Sequence, residues 1–311
     1  MHRYIFKRLL MLIPVIIIVS FSVFFIMSLV PGDVAVTALG ETATPEQLHQ
    51  FREERGLNDP MLIRYLRYMS GIFRMDLGTS IFNNLPVWDL YFGRLPYTLM
   101  LAGSAVLFAV LVSIPLGIWS AIRQNSWVDT GASLLSFFGM SMPNFWVGLL
   151  LIILFSVNLG WLPSHGATDG LRSLILPSLT VGTGLMAAIT RTTRSAMLDV
   201  IHQDYLRTAR AKGLPEKKVI NKHALKNAWI PIVTMIGTQV AALVGGSVIA
   251  ERVFSWPGIG NYLIDSILRN DYPVVTGFII VTSIFVSLVL LLVDLIYAWL
   301  DPRIKAQYAK G

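Results

Sequence analysis

The chain alternates long apolar stretches with polar ones, and six of the apolar stretches approach the length of a membrane-spanning helix. An α-helix needs about 20 apolar residues to cross the hydrocarbon core of a bilayer. The six runs cover 9–30, 98–122, 133–157, 174–190, 229–250 and 277–300, and the fourth is the shortest. They predict six transmembrane helices. The first run is too long for a signal peptide and lacks a small-x-small cleavage site, so we expect it to remain as a span.

The polar segment between the first two spans, 31–97, predicts two short helices. The sequence Thr-Pro-Glu-Gln at 44–47 has the pattern of a capping box with proline in the first turn, and Gly56 ends that helix. Asp59-Pro60 begins the second helix, whose apolar positions share one side: Leu62, Leu66, Met69 and Phe73. We expect this side either to rest on the bilayer or the helical bundle, or to receive an extracytoplasmic partner.

The segment 191–228 predicts two polar helices separated by a break. Asp204 can cap the first helix, and Gly213 suits the left-handed position at its end. Pro215 begins the second, which has Lys226 in its last turn. One side of this second helix is apolar at four positions: Val219, Ile220, Ala224 and Ala228. The basic second helix is typical of a segment attracted to anionic lipid. The small residues of the first helix and the Gly-Leu-Pro break instead indicate a rigid projection that docks on a partner.

A few polar groups fall inside the apolar runs. Proline residues in three spans are expected to bend or interrupt them. Ser141, Asn144 and Trp146 form a polar patch in the third span that either lines a path or makes interhelical hydrogen bonds. Asp294, the one charged residue inside the predicted spans, pairs with Arg191 or Arg194 or else relays protons, and we favour the pairing.

Composition supports the membrane assignment and excludes several chemistries. Hydrophobic residues make up 54% of the chain, charged residues 14%, and cysteine is absent. All five histidines lie outside the predicted spans, so the chain lacks the groups of an intramembrane protease or metal pump. It also lacks the Gly-rich phosphate loop of ATPases. We therefore expect no catalytic and no metal-binding residue.

The basic residues predict the orientation. If the N-terminus is cytoplasmic, the inward segments hold 16 of the 25 Lys and Arg residues and every lysine. An excess of Lys and Arg marks the cytoplasmic side of a membrane protein. Both termini and the block 191–228 are therefore predicted to be cytoplasmic, and 31–93 extracytoplasmic.

The sequence DYLRTARAKGL at 204–214, followed by HALKNA at 223–228, resembles the cytoplasmic EAA loop of permeases in binding-protein-dependent ABC importers. The form is similar to the B-type permease of the dipeptide, oligopeptide and nickel family. The same order of short motifs runs along nearly the whole chain: VPGD (30–33), GLNDP (56–60), DLGTSI (76–81), SMPNFW (141–146), LGWLP (159–163), ILPSLT (175–180), RTTRSAMLDV (191–200), VFSWPGIG (253–260), DYPVV (271–275) and DPRIK (301–305).

The chain also departs from the general motif of that loop. Aligned on Gly213, Arg207 and Thr208 replace the first two residues of Glu-Ala-Ala, and Ala209 matches the third. His223 and Lys226 stand where Ile and Pro are usual, and Leu225 matches the Leu between them. A role for the motif's glutamate therefore cannot be carried over to this chain.

The resemblance implies a type I ABC importer permease fold in the bacterial inner membrane, with an N-terminal span (1–30), an extracytoplasmic segment (31–93), a five-helix core (94–300) that includes the cytoplasmic loop 191–228, and a cytoplasmic tail (301–311). It implies partners: a second homologous permease, two cytoplasmic ATPases that bind ATP and Mg²⁺, and an extracytoplasmic binding protein. The lipid bilayer is a further partner. We expect this subunit to bind no nucleic acid and no cofactor.

The resemblance also implies site residues. The segment that would couple to an ATPase comprises Asp204, Tyr205, Arg207, Thr208, Ala209, Arg210, Ala211, Lys212, Gly213 and Leu214. An extracytoplasmic gate would comprise Phe254, Trp256, Pro257 and Gly258. We expect short peptides as substrate, with nickel, a metal chelate or glutathione as alternatives. A stand-alone carrier or channel is the alternative of a different class, and the scarcity of intramembrane charge disfavours it.

Overall fold

In the computed structural model, which describes residues 2–29 and 32–300, the regular secondary structure is helical, and the described residues contain no β-strand. One isolated bridge joins Thr79 and Pro86. The all-α prediction is confirmed. The tail 301–311 and its DPRIK motif lie outside the described residues.

Four described helices contain stretches long and apolar enough to cross a membrane: Leu10–Leu29, Val87–Ile122, Leu171–Ile201 and Tyr272–Ile296. A fifth span is present if the two helices Trp127–Ser141 and Asn144–Asn158, which meet at an angle of 105°, are counted as one. The predicted six spans are therefore not confirmed as a count. The remaining predicted run lies largely in the helix Leu225–Gly246, in which Lys226, Thr234 and Gln239 interrupt the apolar sequence.

Two predicted spans differ from the structure in their bounds. The fourth run, predicted to end at residue 190, continues as one helix to Ile201, because the polar residues that follow remain compatible with a helix. The third run is interrupted completely after Ser141, at Met142-Pro143, and does not continue as one bent helix. Pro143 lacks the N–H that would continue the ladder, so a new helix begins at Asn144.

The described residues form two compact units. The first unit is built mainly from Leu99–Trp256. Its helices are the second part of α5 (Val87–Ile122), then α6 (Trp127–Ser141), α7 (Asn144–Leu151) with a π-helical continuation to Asn158, α8 (Leu171–Ile201), α9 (Asp204–Ala211), α10 (Glu216–Lys218), a π-helical turn (Val219–Ala224), α11 (Leu225–Gly246) and α12 (Val248–Val253).

Helix α8 is the centre of the first unit. Helices α6, α7 and α11 pack on it. In the most apolar stretch of α8, 67% of the residues are buried, against 28% in that of α5. Small residues permit the close contacts. A Cβ atom added to Gly117 of α5 would lie 2.6 Å from the Cβ atom of Thr193 and 2.8 Å from the carbonyl oxygen of Thr190. Glycine at this position therefore sets how closely α5 and α8 approach.

The second unit is built from Phe6–Thr98 and Pro257–Ser287. Its helices are most of α1 (His2–Leu29), α2 (Val34–Leu39), α3 (Pro45–Glu54), α4 (Met61–Phe73), the first part of α5, α13 (Ile259–Leu268) and the first part of α14 (Tyr272–Leu300). The predicted capping box of α3 is present. The backbone N–H of Gln47 donates to the Thr44 hydroxyl, and the backbone N–H of Thr44 donates to the side-chain oxygen of Gln47 at 2.9 Å. Gly56 follows in the left-handed region with φ of 61°.

Helix α4 packs on α1 through residues that include one position of its predicted apolar side, Met69. The residues that pack on Phe24 of α1 are Tyr65 and Met69, with Met61, Tyr68 and Ile72 beside them. The other three positions of the predicted side, Leu62, Leu66 and Phe73, are exposed, so their contact with the bilayer or with a partner stays a prediction. Tyr65 adds a polar contact to α1, with 3.1 Å between the Tyr65 and Ser20 hydroxyl oxygens.

Two distant motifs of the second unit meet at Asp271, the residue before α14. Its carboxylate accepts hydrogen bonds from the Ser80 hydroxyl at 2.5 Å and the Ile81 N–H at 3.2 Å, and it caps the N–H of Val274. Burial raises the pKa of Asp271 despite these hydrogen bonds. DLGTSI and DYPVV are thus joined by one buried carboxyl group.

Candidate functional site

The short helix α9 projects polar side chains from the first unit and is held in place by one apolar residue. Leu206 is fully buried among side chains of α8, the π-helical turn and α11, including Met197, Ile220 and Ala228. Leu206 was not among the predicted coupling residues, although it is the single large aliphatic residue of the helix. Its place in DYLRTARA could have marked it as the anchor.

Most predicted coupling residues do lie on the free surface of this helix and its C-terminal turn. The exposed set is Asp204, Tyr205, Arg207, Thr208, Ala211, Lys212 and Gly213, while Ala209, Arg210 and Leu214 are half-buried. Asp204 is the first residue of the helix and Gln203 occupies the cap position, which corrects the capping prediction by one residue. Seven of the ten predicted residues are therefore accessible to a partner in the isolated chain.

Two side-chain contacts hold α9 against the following segment. Arg210 donates to both carboxylate oxygens of Glu216, at 3.0 and 2.8 Å, and this bonding lowers the pKa of Glu216. The Asn227 amide donates to the Tyr205 hydroxyl at 2.7 Å. Helix α9 is therefore linked to α10 and to α11 as well as to the apolar cluster around Leu206.

Gly213 reverses the chain between α9 and α10. Its φ is 76°, in the left-handed region, and its N–H donates to the Arg210 carbonyl at 2.9 Å. No other group lies within 4 Å of a Cβ atom built there, so the need for glycine is conformational and not steric. This confirms the predicted left-handed turn.

The second polar helix of this region is longer than predicted. The predicted apolar side is buried at all four positions, Val219, Ile220, Ala224 and Ala228. The segment does not end near Lys226, however, because it continues through the π-helical turn into α11. The segment after Pro215 is therefore continuous with a long helix of the first unit.

The residues predicted for a path and for a gate fall in different surroundings. Ser141 and Asn144 are exposed on either side of the break before α7, and Trp146 is 43% exposed. Phe254 and Trp256 are instead almost fully buried, Trp256 beside Leu101 and Leu174. Pro257 and Gly258 belong to the second unit. Neither role is tested by these positions, and both stay predictions.

A buried ion pair in the first unit was missed from the sequence. Arg194 of α8 donates to both carboxylate oxygens of Asp129 of α6, at 2.6 and 2.8 Å. Asp129 also accepts from the Ser120 hydroxyl at 2.6 Å and the Asn125 N–H at 2.9 Å. Arg194 is thus paired with Asp129, whereas the predicted pairing of Asp294 with Arg191 or Arg194 is not tested and stays a prediction. The sequence signal that was overlooked is the acid Asp129, placed between two predicted spans beside the short polar turn that contains Arg123.

The first unit combines long apolar helices with a short polar helix at its surface. Within the part of the chain that the structure describes, no three His, Asp or Glu side chains form a group that could hold a metal ion. Long apolar helices of this kind place the chain among multi-pass membrane proteins.

The fold has a solved counterpart. The structure is similar to an inward-facing structure of the MetNI methionine ABC transporter, with a TM-score of 0.57 and 19% sequence identity, covering 68% of this chain and 96% of that one. The likeness supports the permease fold. It covers a smaller share of this chain because this chain is the longer of the two.

Residues 113–306 match the family described as "Binding-protein-dependent transport system inner membrane component", and residues 1–102 match the N-terminal family of the same membrane components. The chain belongs to this family and is a multi-pass inner-membrane permease subunit of an ABC importer. The predicted family is confirmed.

Close relatives cover the chain from end to end. The oligopeptide transport system permease protein AppB of Bacillus subtilis is 41% identical over 98% of this chain and 100% of its own length. The dipeptide transport system permease protein DppB of Alkalihalophilus pseudofirmus is 42% identical with the same coverage. The glutathione transport system permease protein GsiC of Salmonella paratyphi A is 42% identical, with coverage of 98% and 99%.

Proposed function

We propose that this subunit forms half of the membrane path for short peptides and couples it to a cytoplasmic ATPase through the surface of α9 and the turn at Gly213. The observation that carries the proposal is the construction of that surface. A helix anchored at Leu206 and linked to α10 and α11 can pass on a displacement without deforming, since its interior side is closely packed.

The energy for transport would come from partner subunits. The chain contains no phosphate-binding loop, so two cytoplasmic ATPases would bind ATP and Mg²⁺. Closure of the ATPase pair on ATP would displace α9, and α11 would carry the movement into the core as a rigid-body change. A second homologous permease would complete the path, and an extracytoplasmic binding protein would deliver the substrate.

Short peptides are the substrate class that the relatives favour. The similar permeases are named for oligopeptides, dipeptides and glutathione, and glutathione is itself a tripeptide. Identifying the ligand that copurifies with the cognate binding protein tests this part. Recovery of a nickel chelate or another non-peptide ligand would contradict it and leave the permease assignment intact.

The coupling role is tested at Gly213. A Gly213→Val variant would force a β-branched residue into the left-handed region, where strain is about 1–3 kcal/mol. We expect substrate-stimulated ATPase activity of the reconstituted complex to fall by about tenfold or more. Gly213→Asn is the matched control, because asparagine tolerates this conformation, and it should retain most of the activity.

Assembly must be measured alongside hydrolysis. The Gly213→Val subunit should still insert into the membrane and copurify with the second permease, since the turn lies outside the apolar core. Stimulated hydrolysis equal to that of the wild type, in a complex that contains the valine variant, would overturn the assignment of α9 as the coupling helix.

A further inference from the structure

The second unit contains a cavity of about 300 Å³ that the transport function does not use. Three arginine residues line it, Arg55, Arg64 and Arg67, with a single carboxylate, Asp76. The cavity lies beside Phe24, near the end of the first membrane span, and Tyr272, at the start of the last. It is therefore at the level where a span passes from hydrocarbon to the polar region of the bilayer.

The three guanidinium groups are not equally engaged. Arg67 donates to Asp59 at 2.6 Å, and Arg55 donates to the Asn84 side-chain oxygen at 2.5 Å. Arg64 instead lies over two aromatic rings, 5.3 Å from the centre of Tyr272 and 5.7 Å from that of Phe24. Within the described residues, no carboxylate lies within salt-bridge distance of Arg64.

The same helix that supplies Arg64 and Arg67 exposes an apolar surface. Leu62 and Leu66 are each 59% exposed and Phe73 is 77% exposed. An amphipathic helix of this kind can lie at the membrane surface with its apolar residues among acyl chains. A ligand with a charged phosphate and long acyl chains would satisfy the cavity and the exposed surface together.

We propose that this cavity binds a phosphate group, supplied by an anionic phospholipid at the membrane boundary. Arg64 is the principal cation, and Arg55 adds a second guanidinium group. Guanidinium groups match the geometry of phosphate oxygens. The bound lipid would join α4 to the membrane ends of α1 and α14.

The test uses the full chain in detergent with added phosphatidylglycerol, and native mass spectrometry counts the bound lipid. Arg64→Gln should lower the fraction of lipid-bound protein by about tenfold, the equivalent of one charge-assisted hydrogen bond. Arg74→Gln is the matched control, because Arg74 is exposed at the end of the same helix and does not line the cavity. It should bind like the wild type.

Arg64→Lys guards against a loss of fold, because it keeps the positive charge and the aliphatic stem of the side chain. It should leave the melting temperature of lipid-free protein close to that of the wild type while it lowers phosphatidylglycerol binding several-fold, since lysine lacks the guanidinium fork. Phosphatidylcholine, which carries no net charge, should bind all variants weakly. Equal binding of phosphatidylglycerol to the wild type, Arg64→Gln and Arg64→Lys would overturn the proposal.

Inorganic phosphate distinguishes the source of the group. If the lipid is the ligand, excess phosphate should displace little phosphatidylglycerol, because the acyl chains add their own binding energy. If phosphate alone raises the melting temperature of the wild type but not of Arg64→Gln, and phosphatidylglycerol has no effect, the lipid assignment is wrong.

Discussion

At the scale of single residues, the ion pair between Arg194 and Asp129 joins two helices of the first unit. The Asp129 side chain is 6% exposed and that of Arg194 28% exposed. A carboxylate this buried depends on its partners, because water no longer solvates it. The Ser120 and Asn125 donors would remain if the arginine were removed, but they carry no compensating charge.

We predict that Arg194→Ala destabilises the protein by about 3 kcal/mol, because it leaves a buried charge uncompensated. Thermal unfolding of the purified chain in detergent measures the effect. Arg191→Ala is the control: Arg191 lies one turn earlier on α8 and is exposed, so its loss should change little. A second substitution, Asp129→Asn, should recover part of the stability lost in Arg194→Ala. Equal melting temperatures for the two arginine variants would contradict this prediction.

At the scale of elements, the close approach of α5 and α8 depends on Gly117. We predict that Gly117→Ala destabilises the protein by about 1–3 kcal/mol, because the added methyl group would meet Thr193 and backbone of α8. Gly103→Ala is a control in the same helix, since no atom lies within 4 Å of its added Cβ atom. That variant should be neutral or up to about 1 kcal/mol more stable.

The same thermal unfolding measurement compares the two glycine variants. Because both substitutions replace glycine by alanine within α5, helix propensity cancels and the difference reports packing alone. A Gly117→Ala protein as stable as Gly103→Ala would show that α5 can move away from α8 at no cost.

The link between α9 and α10 should depend on pH. Because Arg210 lowers the pKa of Glu216, the stabilisation is fully present above the usual glutamate value of 4.5 and is lost as the pH falls through the lowered pKa. We predict that Glu216→Gln increases amide hydrogen exchange of residues 204–218 at neutral pH. The difference from the wild type should vanish in strong acid.

The size of this effect should be modest, since the Glu216 side chain is 56% exposed and such ion pairs contribute less than about 1 kcal/mol. Asp204→Asn is the control, because its contact with Arg207 is far more exposed and longer, at 3.6 Å. An Asp204→Asn protein that exchanges as fast as Glu216→Gln would contradict a specific role for the Arg210 pair.

At the scale of the whole molecule, the orientation predicted from the lysines can be measured directly. The chain has no cysteine, so single-cysteine variants label without background. Glu46 of α3 and Lys212 after α9 are both exposed in the structure. We predict that a membrane-impermeant maleimide added to intact cells labels Glu46→Cys and labels Lys212→Cys only after the membrane is opened. The reverse pattern would overturn the topology.

Much of the fold was predictable because it depends on short-range rules. The capping box at Thr44 and the left-handed turn at Gly213 follow from local backbone chemistry, which nearby residues specify. The apolar side of 219–228 follows from helical periodicity. By contrast, the periodicity of α4 did not indicate that Tyr65 would pack on Phe24, because that contact depends on where α1 lies.

Hydropathy, turn residues and motif order are properties of the chain, and they were sufficient to predict the helical membrane class, the family and the location of the polar helix around 204–214. The folded structure was needed to show that Leu206 anchors that helix, that Arg194 pairs with Asp129, and that Ser80 meets Asp271. These contacts join residues far apart in the chain. Which distant groups come within 3 Å depends on how the helices pack, and a single sequence carries no local signal of that distance.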